Sequence, residues 1–159
     1  SYEGVKFNST SVKPWMGPKF WCPYMQQTWD YNNYPVFRYA DAVLMIAECY
    51  YLKADSEGFV KYLNMVRTRA GLKDYMFVKW SKAFEALRDE RARELFGEFQ
   101  RKFDLVRWGQ WYERVVEYPD WEPLRLTVKP CHEYLPIPEK QVIYSGGALD
   151  NKEYNKYGL

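Results

Sequence analysis

The fold of this chain is decided by one charged stretch, residues 90–109, which reads ERARELFGEFQRKFDLVRWG. On a helix with about 100° per residue, four of its charged side chains fall within an arc of roughly 80°: Glu90, Glu94, Glu98 and Arg101. The apolar residue Leu87 projects into the same arc. Charges on the core side of a helix are costly unless each meets an opposite charge or a hydrogen-bond donor. The stretch therefore predicts an internal ion-pair network instead of a solvated helix face.

Charges on other predicted helices extend this network, because each lies at the margin of an apolar stripe. We expect seven residues to form it: Glu48, Arg67, Glu90, Glu94, Glu98, Arg101 and Asp104. The simplest pairing joins Arg67 to one of the three glutamates at 48, 90 and 94. Arg101 would pair along its own helix, with Glu98 or Asp104. Losing one partner of such a pair strands a buried charge, at a cost of about 3–5 kcal/mol.

The same carboxylates could in principle serve glycoside hydrolysis. That reaction needs two carboxyl groups roughly 5 to 9.5 Å apart across an open cleft, one of them with a raised pKa. The arginines and apolar neighbours of Glu90, Glu94 and Asp104 would instead keep each carboxylate ionised or away from a substrate. We therefore expect a structural network, no catalytic residue and no enzyme.

Helical periodicity begins near residue 37, where apolar residues recur at three- and four-residue steps. They predict a first amphipathic helix carrying Phe37, Ala40, Leu44, Ala47, Tyr51 and Ala54. Asp55 or Ser56 can cap a second helix that stops at Gly71. A turn this short makes the two helices a hairpin. Ser81 is predicted to cap a third helix that runs to about Phe99.

A fourth helix, ending before Pro119, completes a predicted four-helix body over residues 36–118. An irregular, aromatic-rich lead-in over residues 1–35 precedes this body, because its prolines and Gly17 interrupt any helix. A loop-rich tail over residues 119–159 follows it, with one short helix expected from Pro138 to Tyr144. The predicted class is all-α, with long loop-rich segments at both ends.

Composition excludes several classes of function. The chain has 159 residues and a net charge of +2, and its basic and acidic residues alternate, which disfavours nucleic acid. With His132 as the single histidine, we expect no metal site and no cofactor. Cys49 is expected to be a small core residue, and a bridge between Cys22 and Cys131 is possible but unsupported by the sequence. The outlier is aromatic content, 19% of residues, which suggests rings facing solvent or a ligand.

Four sequence blocks occur in an order and spacing that resemble the C-terminal part of the SusD/RagB family. They are Arg38-Tyr39-Ala40-Asp41-x-x-Leu44, Asn64-x-Val66-Arg67-x-Arg69-Ala70-Gly71-Leu72, the charged stretch, and Tyr134-Leu135-Pro136-Ile137-Pro138-x-x-Gln141. Two places depart from the family pattern. Residues 150–158 only echo its usual Asn-rich ending, and this chain has Glu98-Phe99 where the family usually has Glu-Gly. We expect an aromatic ring to fit there through a local change of packing.

The resemblance implies tetratricopeptide-like helical hairpins and a function in glycan capture. Members of this family are surface lipoproteins of the outer membrane that deliver oligosaccharides to a SusC-like, TonB-dependent transporter. By resemblance, the chain would contact the membrane only through a lipid anchor that is not in this sequence, and it looks like a fragment of a longer protein. An alternative is a helical-repeat scaffold that binds proteins and has no sugar site of its own.

Sugar rings stack on aromatic side chains, and their hydroxyls bond planar polar groups, so a glycan site needs both kinds of residue together. Residues 29–34, WDYNNY, have that chemistry, and a loop-like segment on a helical scaffold commonly carries recognition residues. Trp121, held between two prolines, is a second candidate. The candidate ligand contacts are therefore Trp29, Tyr31, Asn32, Asn33 and Trp121. The alternative is that these rings pack along the helical body.

Overall fold

The computed structural model describes Lys19, residues 35–117 and residues 127–158. Every regular element in these parts of the chain is helical, which confirms the all-α prediction. The α-helices are α1 (Tyr39–Leu52), α2 (Ser56–Arg69), α3 (Trp80–Glu94), α4 (Arg101–Arg107), α5 (Trp111–Glu117), α6 (Glu139–Tyr144) and α7 (Lys152–Asn155), and a 3₁₀ turn spans Pro130–Glu133. None of these helices is long and apolar enough to cross a membrane.

The chain forms two compact units, Ser1–Arg101 and Lys102–Leu159. In the first unit, α1 and α2 form a helical hairpin, and α3 packs against both. Their shared core consists of Val43, Leu44, Ala47, Phe59, Leu63, Val66, Ala83 and Leu87, each at most 3% exposed. Their three- and four-residue steps confirm the predicted hairpin and the middle of its apolar stripe. Phe37 and Ala54, however, lie outside α1 and are exposed, so the predicted first helix is too long at both ends.

The connection between α1 and α2 is tight because a left-handed residue ends the first helix and a carboxylate begins the second. Ala54 has φ +54°, and the Asp55 amide donates to the Tyr50 carbonyl at 3.0 Å, which terminates α1. The Asp55 carboxylate then accepts a hydrogen bond from the Gly58 amide at 2.9 Å. Gly71, with φ +72°, ends α2 in the same manner. The predicted cap and stop of the second helix are therefore both present.

Two predicted helix boundaries are wrong. The third helix begins at Trp80 after Lys79, with no side-chain cap, so Ser81 does not cap it. It ends at Glu94 instead of near Phe99, because Gly97 and Phe99 adopt left-handed φ angles of +78° and +60° that a helix cannot contain.

The predicted fourth helix is two short helices, α4 and α5. Gly109, with φ +65°, separates them, and the Gln110 amide donates to the Leu105 carbonyl at 2.8 Å, which closes the end of α4. The recurrence of Leu105, Trp108, Trp111, Tyr112 and Val115 had predicted one continuous helix here. The glycine at position 109 was the signal for the break.

The second unit also contains the tail, which is more ordered than predicted. The short helix expected from Pro138 to Tyr144 is present as α6, and α7 was missed. Asn151, just before α7, links this helix to the chain just before α6. Its side chain accepts a hydrogen bond from the Ile137 amide and donates one to the Ile137 carbonyl, both at 2.9 Å. An amide side chain that pairs with both groups of one residue acts as a short piece of extra backbone.

The cysteines differ from expectation at one position. Cys49 is exposed, not a core residue, because it lies about 200° around α1 from the buried Ala47. Cys131 is buried and carries a free thiol. Cys22, the other member of the bridge that was considered, lies outside the described residues.

Candidate functional site

A cluster of charges surrounds the C-terminal end of α3, within the first unit. Its centre is the Glu98 carboxylate, whose side chain is 4% exposed. Arg38, the residue immediately before α1, donates from Nε to both Glu98 oxygens at 3.0 and 2.9 Å and from Nη2 to Oε1 at 2.7 Å. The same guanidinium bonds Glu94 twice, from Nη2 to its carbonyl at 2.8 Å and from Nη1 to its carboxylate at 2.9 Å. One arginine thus joins the start of α1 to the end of α3.

A second cation from a distant part of the sequence meets the same helix end. Lys19 forms an ion pair with Glu98, and its Nζ donates to the Glu94 carbonyl at 2.6 Å and to the Phe96 carbonyl at 3.2 Å. The last carbonyls of a helix lack intrahelical partners and carry partial negative charge. Lys19 and Arg38 therefore satisfy the end of α3 as well as neutralising its carboxylates.

The electrostatics of the cluster favour its ionised form. Burial raises the pKa of the Glu98 carboxyl, but hydrogen bonds from Arg38 and Lys19 outweigh this, so the pKa lies below its usual value. The hydrogen bond to Glu98 correspondingly raises the pKa of Arg38. A general acid for glycoside cleavage needs the opposite shift, a raised carboxyl pKa.

Two further ion pairs hold α3 to the hairpin. Arg67 Nη1 donates to Glu90 at 2.7 Å, and its other nitrogens donate to the Lys73 carbonyl at 3.0 and 2.8 Å. Of the three partners proposed for Arg67, the structure pairs it with Glu90. Arg91 lies 2.9 Å from Asp41 of α1, and both side chains are at least nine-tenths buried. Glu90 and Arg91, both in the charged stretch, therefore position α3 against the hairpin.

The remaining residues of the predicted network lie in different places. Glu94 also pairs with Arg69, at 2.5 Å. Glu48 is buried on α1, and Arg101 donates to the Arg88 carbonyl at 3.1 Å. Asp104 lies in the second unit, where Arg107 contacts it at 3.1 Å.

A cleft of about 460 Å³ opens beside this cluster on the α1–α2 hairpin. Its lining residues are Arg38, Tyr39, Ala40, Val43, Met65, Val66 and Arg69. Its floor is apolar, and two guanidiniums stand at its margin, each already paired with Glu94. Tyr39 is 77% exposed. An exposed ring beside fixed planar donors is a combination that suits a ligand with both apolar faces and hydroxyl groups.

The second unit has a cleft of its own, about 470 Å³, between the 3₁₀ turn and α7. Two tyrosines line it, Tyr134 and Tyr154. Tyr134 is exposed, and the Tyr154 hydroxyl donates a hydrogen bond to the Tyr134 carbonyl at 2.5 Å. Asp150 and Lys152 at its edge are ion-paired at 2.7 Å. In the described parts of the chain, no three His, Cys, Asp or Glu side chains gather as a metal site would require. Five candidate ligand contacts, Trp29, Tyr31, Asn32, Asn33 and Trp121, lie outside the described residues.

Residues 24–154 match the model of the SusD family. The chain belongs to the SusD family. It is 36% identical to SusD-like protein P25 of Formosa agariphila, over 84% of this chain and 28% of that protein. The crystal structure of a SusD superfamily protein from Bacteroides vulgatus superposes with a TM-score of 0.60 at 34% identity, over 68% of this chain and 25% of that one. This SusD-family chain therefore spans about a quarter of the length of either relative.

The backbone angle and exposure of Phe99 account for its departure from the family pattern in a way that the sequence did not predict. The family pattern has glycine here, and Phe99 has φ +60°, a conformation that glycine adopts without strain. The ring is 80% exposed. The position is therefore special for its backbone angle, and the expected repacking around an aromatic ring is wrong.

Six residues that the structure pairs with or beside the predicted network were not predicted: Lys19, Arg38, Asp41, Arg69, Arg91 and Arg93. Arg38 and Asp41 stand in the first block that carries the family resemblance, so their position in that block was an available signal. Lys19 gave none that distinguishes it from the other lysines, because its partners lie 75 or more residues away in sequence.

Proposed function

We propose that this chain is part of a protein that binds oligosaccharides without catalysis at the cell surface and passes them to a SusC-like, TonB-dependent transporter. The observation that carries the proposal is the match of residues 24–154 to the SusD family. On the same ground, the whole protein is an outer-membrane lipoprotein held by a lipid anchor. The charged cluster agrees with a binding function, since Glu98 is held ionised by two cations and offers no proton for glycosidic cleavage.

The sugar contacts that we propose are Trp29, Tyr31, Asn32, Asn33 and Trp121. Aromatic rings cover the apolar faces of a sugar, and the two asparagines supply donors and acceptors for its hydroxyls. The cleft beside Arg38 and Tyr39 supports the first four, because it lies a few residues along the chain from them. Glu94 already holds the guanidiniums of Arg38 and Arg69 in place, so a ligand that binds them would cost little further side-chain entropy.

Tryptophan fluorescence titrated against a panel of neutral oligosaccharides tests this function. We expect a saturable change with one glycan class that is lost in Trp29→Ala or Trp121→Ala. Trp108→Ala is the matched control, because Trp108 lies against Arg107 beside α4 and is not among the proposed contacts. A well-folded protein that responds to no glycan, or a response lost equally in the control, would contradict these contacts.

A protein-binding scaffold is the alternative, and one observation favours it. Several large apolar side chains of the described residues are at least 70% exposed: Phe37, Tyr39, Leu52, Met76, Val78, Phe99, Phe103, Leu135 and Tyr144. Apolar side chains in such number suit contact with another polypeptide as well as with sugar. The glycan titration separates the two functions: both predict co-sedimentation with the solubilised transporter, whereas a scaffold would leave the fluorescence unchanged by every glycan.

A further inference from the structure

We propose that the cleft on the α1–α2 hairpin selects sugars that carry a carboxylate, and that Arg69 recognises this group. The proposal rests on the proposed function and names the class of sugar that the cleft would take. Of the described residues that line the cleft, the charged ones are Arg38 and Arg69. The other lining side chains are apolar, apart from the hydroxyl of Tyr39. The charges that line the cleft are therefore positive.

Cations outnumber carboxylates in the ion pairs that involve these two arginines. Glu94 is shared by Arg38 and Arg69, at 2.9 and 2.5 Å. Glu98 is shared by Arg38 and Lys19. Three cations thus meet two carboxylates, and both carboxylate side chains are at most 10% exposed. These pairs therefore leave one positive charge in excess on the exposed side of the group, and this charge attracts an anion.

Arg69 retains donors for a ligand, whereas Arg38 has committed its own. Every nitrogen of the Arg38 guanidinium contacts Glu94 or Glu98. In the described parts of the chain, Arg69 makes one polar contact, from Nη2 to Glu94, and its side chain is 59% exposed. A guanidinium presents two edges that fit a carboxylate, Nε with Nη2 and Nη1 with Nη2. Because Glu94 takes one hydrogen of Nη2, the other edge stays open for a bidentate bond to a second carboxylate.

The apolar part of the cleft suits the ring of the same sugar. The Tyr39 ring is 77% exposed, and the lining also includes the half-exposed Met65 and the buried Val43 and Val66. In a uronic acid the carboxylate extends from the edge of the pyranose ring, so the C–H faces stay free to stack on an aromatic side chain. The cleft volume of about 460 Å³ is in the range of small-ligand sites. Stacking therefore serves any sugar here, and Arg69 adds the preference for an acidic one.

Isothermal titration calorimetry of the chain with oligouronides tests the proposal. The probes are trimers of galacturonic, glucuronic and mannuronic acid, and each is compared with its methyl ester, which has the same rings without the charge. We expect one trimer to bind at least about tenfold more tightly than its ester. This preference should shrink as the salt concentration rises from about 0.05 to 0.5 M, because the exposed charge of Arg69 is screened. A sulfated neutral trimer shows whether a carboxylate is the anion that the cleft takes.

Arg69→Gln is the informative change, because Glu94 keeps its pair with Arg38 and no carboxylate is left without a cation. It should weaken binding of the acidic trimer about tenfold and binding of the ester less than about twofold. Arg69→Lys keeps the charge beside Glu94 and loses the bidentate edge, so it should recover only part of the affinity. Arg93→Gln is the matched control, since Arg93 forms a comparable ion pair in the same unit, is 55% exposed and is not among the lining residues. Tyr39→Leu should weaken the acid and the ester alike.

Three results would overturn the proposal. The first is that no trimer binds more tightly than its ester. The second is a preference for the acid that persists in Arg69→Gln, and the third is tighter binding of the sulfated trimer than of every oligouronide. In each case, binding of uncharged oligosaccharides by the unchanged chain would still support the proposed function. A well-folded chain that binds neither the trimers nor any neutral oligosaccharide would refute the proposed function, and the selectivity with it.

Discussion

Replacing Glu90 by glutamine tests whether the charged stretch organises the first unit. Glu90 is 2% exposed, and its carboxylate accepts from Arg67 at 2.7 Å and from Arg93 at 3.0 Å. Glutamine keeps the shape of the side chain and removes its charge. Arg67, whose side chain is 19% exposed, would then keep a half-buried charge without its carboxylate.

The expected loss of stability follows from what each arginine retains. Breaking a buried pair costs about 3–5 kcal/mol. Arg67 keeps its two bonds to the Lys73 carbonyl, which places Glu90→Gln near the lower end of that range. Arg93 is 55% exposed, so its pair with Glu90 contributes at most about 1 kcal/mol. A loss of about 3 kcal/mol in a chain of this size corresponds to a fall in Tm of roughly 6–12 °C.

Thermal melting followed by circular dichroism at 222 nm measures this directly. Glu85→Gln is the control, because Glu85 forms an exposed pair with Lys82 and should shift Tm by no more than about 2 °C. Adding Arg67→Met to Glu90→Gln should recover part of the loss, since no unpaired charge then remains. A Tm for Glu90→Gln equal to that of Glu85→Gln would refute the reasoning, and so would a double variant whose loss is the simple sum of the two single losses.

Three further predictions follow from single features of the first unit. Phe99→Gly should raise stability by roughly 0.5–1 kcal/mol in urea melts, because relief of the left-handed angle outweighs the added freedom of the unfolded chain; a loss would contradict this. Gly58→Ala should cost about 1–3 kcal/mol despite the better helix propensity of alanine, because the new methyl group would overlap the Tyr50 ring; Gly58→Ala combined with Tyr50→Ala should recover much of this loss. The lowered folded pKa of Glu98 stabilises the protein fully above the usual glutamate pKa of 4.5, and this contribution is lost as pH falls through the folded value. Glu98→Gln should therefore be less stable at neutral pH and should flatten the stability profile below pH 4.5, as urea melts at several pH values would reveal.

The helical hairpin was predictable because its signals are local. The apolar repeat of α1 and α2, the Asp55 cap and the stop at Gly71 can each be read within one or two turns of the chain. The end of α3 was not predictable in this way. A phenylalanine at position 99 gives no sign of a left-handed angle, and only the family pattern, with its glycine, pointed to it.

The membership of the charge cluster was only half predictable, for a physical reason. Burial on the core side identifies which carboxylates need partners, and this singled out Glu90, Glu94 and Glu98. It does not choose among cations, because every nearby arginine carries the same charge and a similar reach. One of the two partners of Glu98 is Arg38, 60 residues earlier in the chain, and this choice is made by how α1 packs on α3.

These ion pairs contribute more to the unique placement of α3 on the hairpin than to the net free energy of folding. Buried ion pairs contribute little net free energy, since desolvation offsets most of their attraction, but a misplaced partner is costly. Apolar packing alone would tolerate α3 shifted along the hairpin, whereas a shift of one turn would separate Arg67 from Glu90, Arg91 from Asp41 and Arg38 from Glu98 together. Three simultaneous penalties of this kind leave one permitted position for α3. The end of α3, and with it the point at which Lys19 and Arg38 meet, is then fixed by the same pairs that hold the helix.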